Sequence, residues 1–264
     1  MRSTRCSASR ARSNRSKNNM KIKLLSSIAF VVVLFFAVNT YAGDLSTLHV
    51  IGFSNDGRYM AFEEYGTQDG SGYPFATIHI IDTTKNAYAA PKIDVMVEDE
   101  MGAESTARNR VAVKAAKKLK QFRIVRGNTG RLILSHPLTD LTFEGEAGKK
   151  ADTLVKFAED VGPYHREGDY ELLLTPVKVT PKDCTDYGYD IFMLELKLTN
   201  NAGEGTSKFL QKDVSLPASR GCVMSYRIQD IYIYKGIIAV FMSFDTPGFE
   251  GPDTRFMVTA GKLK

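Results

Sequence analysis

Phe192-Met193-Leu194-Glu195-Leu196-Lys197-Leu198 places Phe192, Leu194, Leu196 and Leu198 on one side of an extended chain and Met193, Glu195 and Lys197 on the other. A period of two marks a strand with one buried face. The pattern spreads outward from there. Tyr170 to Thr175 and Val177 to Thr180 read as strand around Pro176, which lacks an N–H and therefore requires a bulge or an edge position. Asp230 to Tyr234 alternates Ile with Tyr, and Lys235-Gly236 turns the chain into the apolar run Ile237 to Phe241. One helix interrupts this: Ser105 to Gln121 sets Ala107, Val111, Ala115 and Leu119 at steps of four, and Phe122 completes the stripe. A second, shorter helix is expected over Lys150 to Glu159, with Leu154, Val155 and Ala158 facing inward. The expected fold is mainly β (α+β), with antiparallel blade-like sheets and one inserted amphipathic helix.

The composition is that of an ordinary globular protein: 264 residues, 43% hydrophobic, 25% charged and 10% aromatic. Disordered, collagenous and multi-span membrane classes are excluded. The net charge of +5 misrepresents the body. Residues 1–42 hold Arg2, Arg5, Arg10, Arg12, Arg15, Lys17, Lys21 and Lys23 and no acidic residue, so removing these eight from the 35 basic residues leaves 27 against 30 acidic ones. A basic-protein case for nucleic acid fails on that count.

The same segment predicts export. Lys21 and Lys23 precede an apolar run, Leu24 to Val38, broken only by Ser26 and Ser27. As a helix it spans about 22 Å, short of the roughly 30 Å of a hydrocarbon core. Thr40 and Ala42 then supply the small residues of a cleavage site between Ala42 and Gly43. Residues 20–42 are read as a signal peptide with no stable membrane anchor after cleavage, and residues 1–19 as either an over-extended gene start or a disordered basic arm. Residues 43–264 are read as a single mainly-β domain with a helical insertion at about 103–160. The body lacks an Asn-x-Ser/Thr sequon, in keeping with a periplasmic or secreted protein of a Gram-negative bacterium. Two body cysteines, Cys184 and Cys222, form an even count in an exported chain and predict one disulfide.

Two segments echo each other 179 positions apart: Gly57-Arg58-Tyr59-Met60-Ala61-Phe62 and Gly236-Ile237-Ile238-Ala239-Val240-Phe241. Each is a turn glycine and an apolar strand ending in Phe, and each leads into a Gly-rich loop, 66–74 and 245–253. If the copies are equivalent, both loops emerge on one rim. Phe53-Ser54-Asn55-Asp56-Gly57-Arg58-Tyr59-Met60-Ala61-Phe62 with Ile78-His79-Ile80-Ile81-Asp82 resembles a blade of the TolB-like β-propellers, Asn55 standing where that family has proline. The likeness covers about 35 residues, and a closed propeller needs about 40 in each of several blades; blade-like sheets are therefore expected without closure. Over residues 43–264 the chain also resembles a family of predicted secreted bacterial proteins of unknown function, most clearly at Gly52-Phe53-Ser54-x-Asp56-Gly57 and Gly248-Phe249-Glu250-Gly251-Pro252-Asp253-Thr254-Arg255-Phe256. That resemblance implies export and transfers no catalytic residue.

Candidate chemistry gathers on the two loops. Glycines allow close backbone approach, and Glu250, Asp253 and Arg255 offer two carboxylates and a fork of donors. The plainer reading is a tight turn in which Asp and Arg satisfy nearby backbone. A calcium site from Asp69, Glu250 and Asp253 matches no known ligand spacing, and no metal or cofactor is expected. Tyr65, Tyr73, Phe75, Phe244 and Phe249 lie in or beside the loops, placed to bind glycan or a protein segment or to fold back over the core. His49, His79, His136 and His165 are scattered, and no HExxH, GxSxG or P-loop pattern occurs. His79 reads as a sheet residue. Glu63 and Glu64 are adjacent on a strand, point to opposite faces and cannot act together. The cations of the helix, Arg108, Arg110, Lys114, Lys117, Lys118, Lys120 and Arg123, read as a solvated face in preference to a lipid or polysaccharide contact, because the apolar stripe is mostly alanine.

The expected function is a non-enzymatic, exported ligand- or protein-binding module. Its site residues are Tyr65, Asp69, Tyr73, Phe249, Glu250, Asp253 and Arg255, and its partner is an envelope protein or glycan. The rival is a cell-envelope hydrolase acting on glycan or peptide through carboxylates.

Overall fold

The computed structural model of the protein describes residues 43–136, 154–158, 169–201, 205–249 and 251–264. Residues 1–42, including Ala42 of the expected cleavage site, lie outside them. In chain order come β1 (Thr47–Phe53), β2 (Tyr59–Thr67), β3 (Pro74–Asp82), β4 (Ala87–Tyr88) and β5 (Ile93–Met96), then α1 (Glu104–Gln121). Next follow β6 (Arg131–Ser135), β7 (Leu154–Phe157), β8 (Tyr170–Val179), β9 (Ile191–Asn200) and β10 (Thr206–Lys212). The last three are β11 (Ser225–Tyr234), β12 (Ile237–Pro247) and β13 (Pro252–Lys262).

These strands form three antiparallel sheets: β1-β2-β3-β4 with β5 also on β3, β13-β12-β11-β6, and β10-β9-β8-β7. We call them the first, second and third sheets. The fold is mainly β with one helix, and the sheets close into neither a barrel nor a propeller.

The apolar periodicity dictates how they stack. In β12 alternate residues serve two cores. Ile237, Ala239 and Phe241 pack against Val50, Met60, Phe62 and Ile81 of the first sheet, whereas Ile238, Val240, Met242 and Phe244 pack against Leu172, Leu194, Leu196 and Leu198 of the third. A strand covered on both faces reads as a continuous apolar run, which is why 237–242 lacks alternation. The half-apolar β9 instead has one covered face, with Leu194, Leu196 and Leu198 buried. The first sheet turns its other face to α1, where Ala107, Val111, Ala115 and Leu119 meet Ile51, Ala61, Ala76, Ile78 and Ile80. The order of layers is thus α1, first sheet, second sheet, third sheet. Alanine in the helix stripe brings its axis close to the sheet.

The two echoed strands, β2 and β12, are each central in a three-stranded meander, and their terminal aromatics meet: Phe62 and Phe241 are fully buried with ring centroids 5.4 Å apart, edge to face. Burial of each contributes roughly 1.5–3 kcal/mol. The β11–β12 hairpin turns through Lys235 (φ 50°) and Gly236 (φ 72°), the left-handed pair that suits the twist of a two-residue connection. Pro176 takes the edge solution: β8 pairs with β9 through it without a register shift, while β7 covers β8 only at Tyr170–Leu173.

One expectation is overturned. Leu154–Phe157 is a strand, β7, and not part of a second helix; Val155 and Phe157 point inward while Leu154 is exposed. Leu154, Val155 and Ala158 fit a helical face in sequence, but Val155 and Phe157 at a spacing of two fit the open edge of β8, and that pairing prevails. The flanking residues 150–153 and 159 lie outside the described residues.

Cys184 and Cys222 are bonded, with Cα atoms 5.7 Å apart, and stand 38 positions apart in sequence. Closing a loop of this size removes unfolded-state freedom worth about 4 kcal/mol. The paired substitution Cys184→Ser with Cys222→Ser is expected to lower unfolding stability by about that amount, read as a shift of the urea midpoint to lower concentration. An unchanged midpoint would show that the loop is already constrained without the bond.

Candidate functional site

Glu63 and Glu64 on β2 are both buried, on opposite faces of the first sheet. Each has acquired a histidine. His49 lies directly across from Glu63 in the β1–β2 register, and its Nδ1 is 3.2 Å from Glu63 Oε2. Arg108 of α1 adds Nη2 to Oε2 at 2.8 Å and Nε to Oε1 at 3.2 Å, while its guanidinium lies 3.9 Å from the Tyr65 ring centroid. Burial pushes the Glu63 carboxyl up, but the hydrogen bonds from His49 and Arg108 outweigh it and hold the group below its ordinary value. Conversely, Glu63 raises Arg108. This cluster pins the helix to the sheet beside a hollow of about 310 Å³ that also borders Ser105, Asn109 and Arg126.

Glu64 faces the second sheet. Its Oε1 meets His79 Nε2 at 2.9 Å and its Oε2 accepts the Phe256 N–H at 3.1 Å. The carboxylate thereby assigns the imidazole proton to Nε2; Nδ1 is buried and has no hydrogen-bond partner among the described residues. The ring stacks on Phe62 (4.7 Å) and is 5.6 Å from Tyr88. This pair sits at the floor of a cleft of about 280 Å³, whose mouth carries Gln68, Lys92, Asp94 and Arg255 and whose walls include Phe75, Tyr88, Phe244 and Phe256. Burial and then the charge of Glu64 raise the Tyr88 phenol.

Tyr88 and Ser219 also border a second hollow of about 130 Å³, lined by Ile81, Asn86, Pro217, Met257 and Val258. The cleft therefore runs along β13, with β3 and β4 as floor and Pro217–Arg220 as roof. That roof is held from below. Arg220 and Asp213 are both buried, with Nη2 to Oδ2 at 2.6 Å, and Arg220 Nη1 donates to Tyr226 Oη at 2.7 Å. Asp213 also accepts the Leu194 N–H at 2.9 Å and Gln211 Nε2 at 2.6 Å. Burial pushes the Tyr226 hydroxyl up to about 12, so it stays protonated beside the ion pair.

The rim residues named from sequence are placed as follows. Both Gly-rich loops converge on Asp44. The Asp69 N–H donates to Asp44 Oδ1 at 2.7 Å, Asp253 Oδ1 accepts the Asp44 N–H at 2.9 Å, and Arg255 Nη2 donates to Asp44 Oδ2 at 2.8 Å. Arg255 also reaches Ser46 Oγ at 2.7 Å and lies 4.5 Å from the Phe75 ring centroid. Gly43 fits only as glycine, since a Cβ there would stand 2.1 Å from the Pro252 oxygen. Tyr73 closes its own loop, its carbonyl accepting the Gln68 N–H at 3.0 Å. Phe249 is almost fully exposed, at 89%. Tyr65 is on the α1 face and apart from the others, and Glu250 lies outside the described residues. Among the described residues no three His, Cys, Asp or Glu side chains converge as metal ligands.

Sequence reasoning missed Asp44, the pairing of Glu64 with His79, and the Tyr88–Ser219 passage. The signal for the second was strand register. His79 is opposite Phe62, hence diagonal to Glu64, once β2 and β3 are aligned from Tyr59↔Asp82.

Because Glu63 is depressed in the folded state, it contributes stability above its ordinary value, and that contribution is lost as pH falls through its folded value. Glu63→Gln is expected to lose about 1–3 kcal/mol at neutral pH and to show a shallower further loss than the parent between pH 5 and pH 3. Urea unfolding across that range checks it; parallel pH profiles for parent and variant would contradict the pairing.

No helix among the described residues is long and apolar enough to cross a membrane. No curated protein matches the chain. The model of a family described as predicted secreted protein (DUF2259) matches residues 61–262, from within β2 to the last residue of β13, and the chain belongs to that family.

Proposed function

We propose that this protein is a non-enzymatic binding module of the bacterial periplasm or exterior, whose ligand occupies the cleft at the base of the two Gly-rich hairpins. The observation that carries this reading is how the floor carboxylate is used. Both oxygens of Glu64 are engaged by the fold, one with His79 and one with the Phe256 N–H, so the carboxylate ties two sheets together, a structural use that accounts for its burial. Around it the cleft offers Phe75, Tyr88 and Phe244 for apolar contact and Gln68, Lys92 and Asp94 for orientation. That mixture suits recognition of an envelope glycan or protein segment. The leader, with its short apolar run and small-residue exit, supports delivery across the inner membrane.

The hydrolase reading keeps one observation in its favour: a buried carboxylate–histidine pair beside a half-exposed tyrosine is a familiar acid–base unit. Ser219 is exposed on the roof, so Ser219→Trp fills the passage without disturbing the core. Applied to arrays of cell-wall glycans and of unstructured peptides, the parent chain is expected to be retained on one class and the variant at least tenfold less. Equal retention of the two would remove the cleft as the binding site. Turnover of either array that disappears in Glu64→Gln would favour the hydrolase.

A further inference from the structure

β13 is the outer strand of the second sheet, and its outward-facing amides follow a strict alternation. Residues 254, 256, 258 and 260 lie opposite Asp245, Ser243, Phe241 and Ala239, pairs of one parity in the antiparallel ladder. The amides of 254, 256 and 260 all bond away from β12, so those of 258 do the same. At 254 the N–H donates to the Asp44 carbonyl at 2.8 Å, and the Thr254 carbonyl accepts the Ser46 N–H at 3.2 Å. At 256 the N–H donates to the Glu64 carboxylate. At 260 the N–H donates to Asn86 Oδ1 at 2.9 Å, and Asn86 is itself held by Leu210 and Gln211. An exposed strand edge invites pairing, and proteins blunt it. Between Thr254 and Ala260, three of the four outward amides are capped by the chain's own carbonyl, carboxylate and amide oxygens. Val258 is the exception: among the described residues nothing bonds its N–H, and it lines the passage between Tyr88 and Ser219.

We infer that this open stretch of β13 receives an extended peptide segment as an added strand, seated between β4 and the Pro217–Arg220 roof. The inference rests on the cleft as binding site and names what enters it. From Phe256 to Ala260 the edge spans about 13 Å, the length of four extended residues. A segment laid there meets the Val258 N–H and carbonyl and the Phe256 carbonyl, an alternation of donor and acceptor that matches a peptide backbone and not a sugar ring. Alternate side chains of the guest then point onto Ile81, His79 and Tyr88, which selects apolar or aromatic residues at every second position. The precedent within the molecule is Leu45, which already pairs in parallel with Thr254 at the same edge and leaves it after Ser46 to enter β1.

The test uses the full chain and a library of end-blocked octapeptides with alternating apolar and polar positions. Two protein variants and one change to the probe are compared. Val258→Pro deletes the outward N–H without touching a β12–β13 bond, since proline is tolerated at an edge facing away from its ladder. Ser219→Trp closes the passage, and methylation of single peptide nitrogens removes guest donors with no risk to the protein fold. The best-binding octapeptides are expected to weaken at least tenfold with each variant, and to lose binding when every second central nitrogen is methylated but not the intervening ones. Binding lost in Ser219→Trp but indifferent to Val258→Pro and to methylation would leave the cleft as the site and overturn strand addition. Binding indifferent to all three changes would overturn both. Absence of any octapeptide binding, or a concentration-dependent dimer abolished by Val258→Pro, would overturn the peptide guest, the second result in favour of another copy of this chain.

Discussion

The seam between the first two sheets is held by carboxylates, and the architecture around the cleft depends on them. A strand edge that meets another layer obliquely cannot satisfy its amides by continuing the ladder, and a buried unpaired N–H costs as much as a lost hydrogen bond. Glu64 resolves this for Phe256, and Asp44 resolves it for the loops: its side chain and backbone receive or supply bonds to Asp69, Asp253, Thr254 and Arg255. Side-chain caps, unlike a neighbouring strand, leave gaps between them. The cleft is the consequence of joining two sheets by point contacts at intervals of two residues.

The internal echo has a packing meaning. Each copy is the central strand of a meander and places a Phe at the same point of its strand, and the layers stack so that these two rings meet. The copies differ in what covers their second face. β2 turns that face to the small side chains of α1, whereas β12 turns it to the leucine-rich third sheet. The same strand motif thus serves a helix-backed layer and a sheet-backed one, and the β12 run had to become apolar on both sides.

Much of the fold was legible in sequence where period and chemistry coincide. The four-residue steps of Ala107, Val111, Ala115 and Leu119 admitted only a helix, and their burial follows directly. Lys235-Gly236 was legible as a hairpin turn, and Cys184 with Cys222 as a pair. Residues 154–158 read as helix in sequence because four or five residues carry too few apolar positions to separate a period of 2 from one of 3.6; the deciding factor is a vacant edge on β8, which sits elsewhere in the chain. The candidate site was legible in its parts. In sequence Glu64 and His79 each carry no meaning alone, and only the β2–β3 register places one diagonal to the other.

By itself the sequence determined the local order of things: a short apolar run near the N-terminus followed by small residues, a chain that is mostly strand, one amphipathic helix, and two matched hairpins ending in glycine-rich loops. Those properties depend on neighbours a few residues apart. Tertiary structure alone decided that both loops close on Asp44, that adjacent glutamates on β2 serve different layers with different histidines, and that Val258 is the uncapped position between Thr254 and Ala260. Each of these rests on groups 15 to more than 200 positions apart, brought together by the stacking of sheets, and no local pattern encodes which carboxylate will meet which amide.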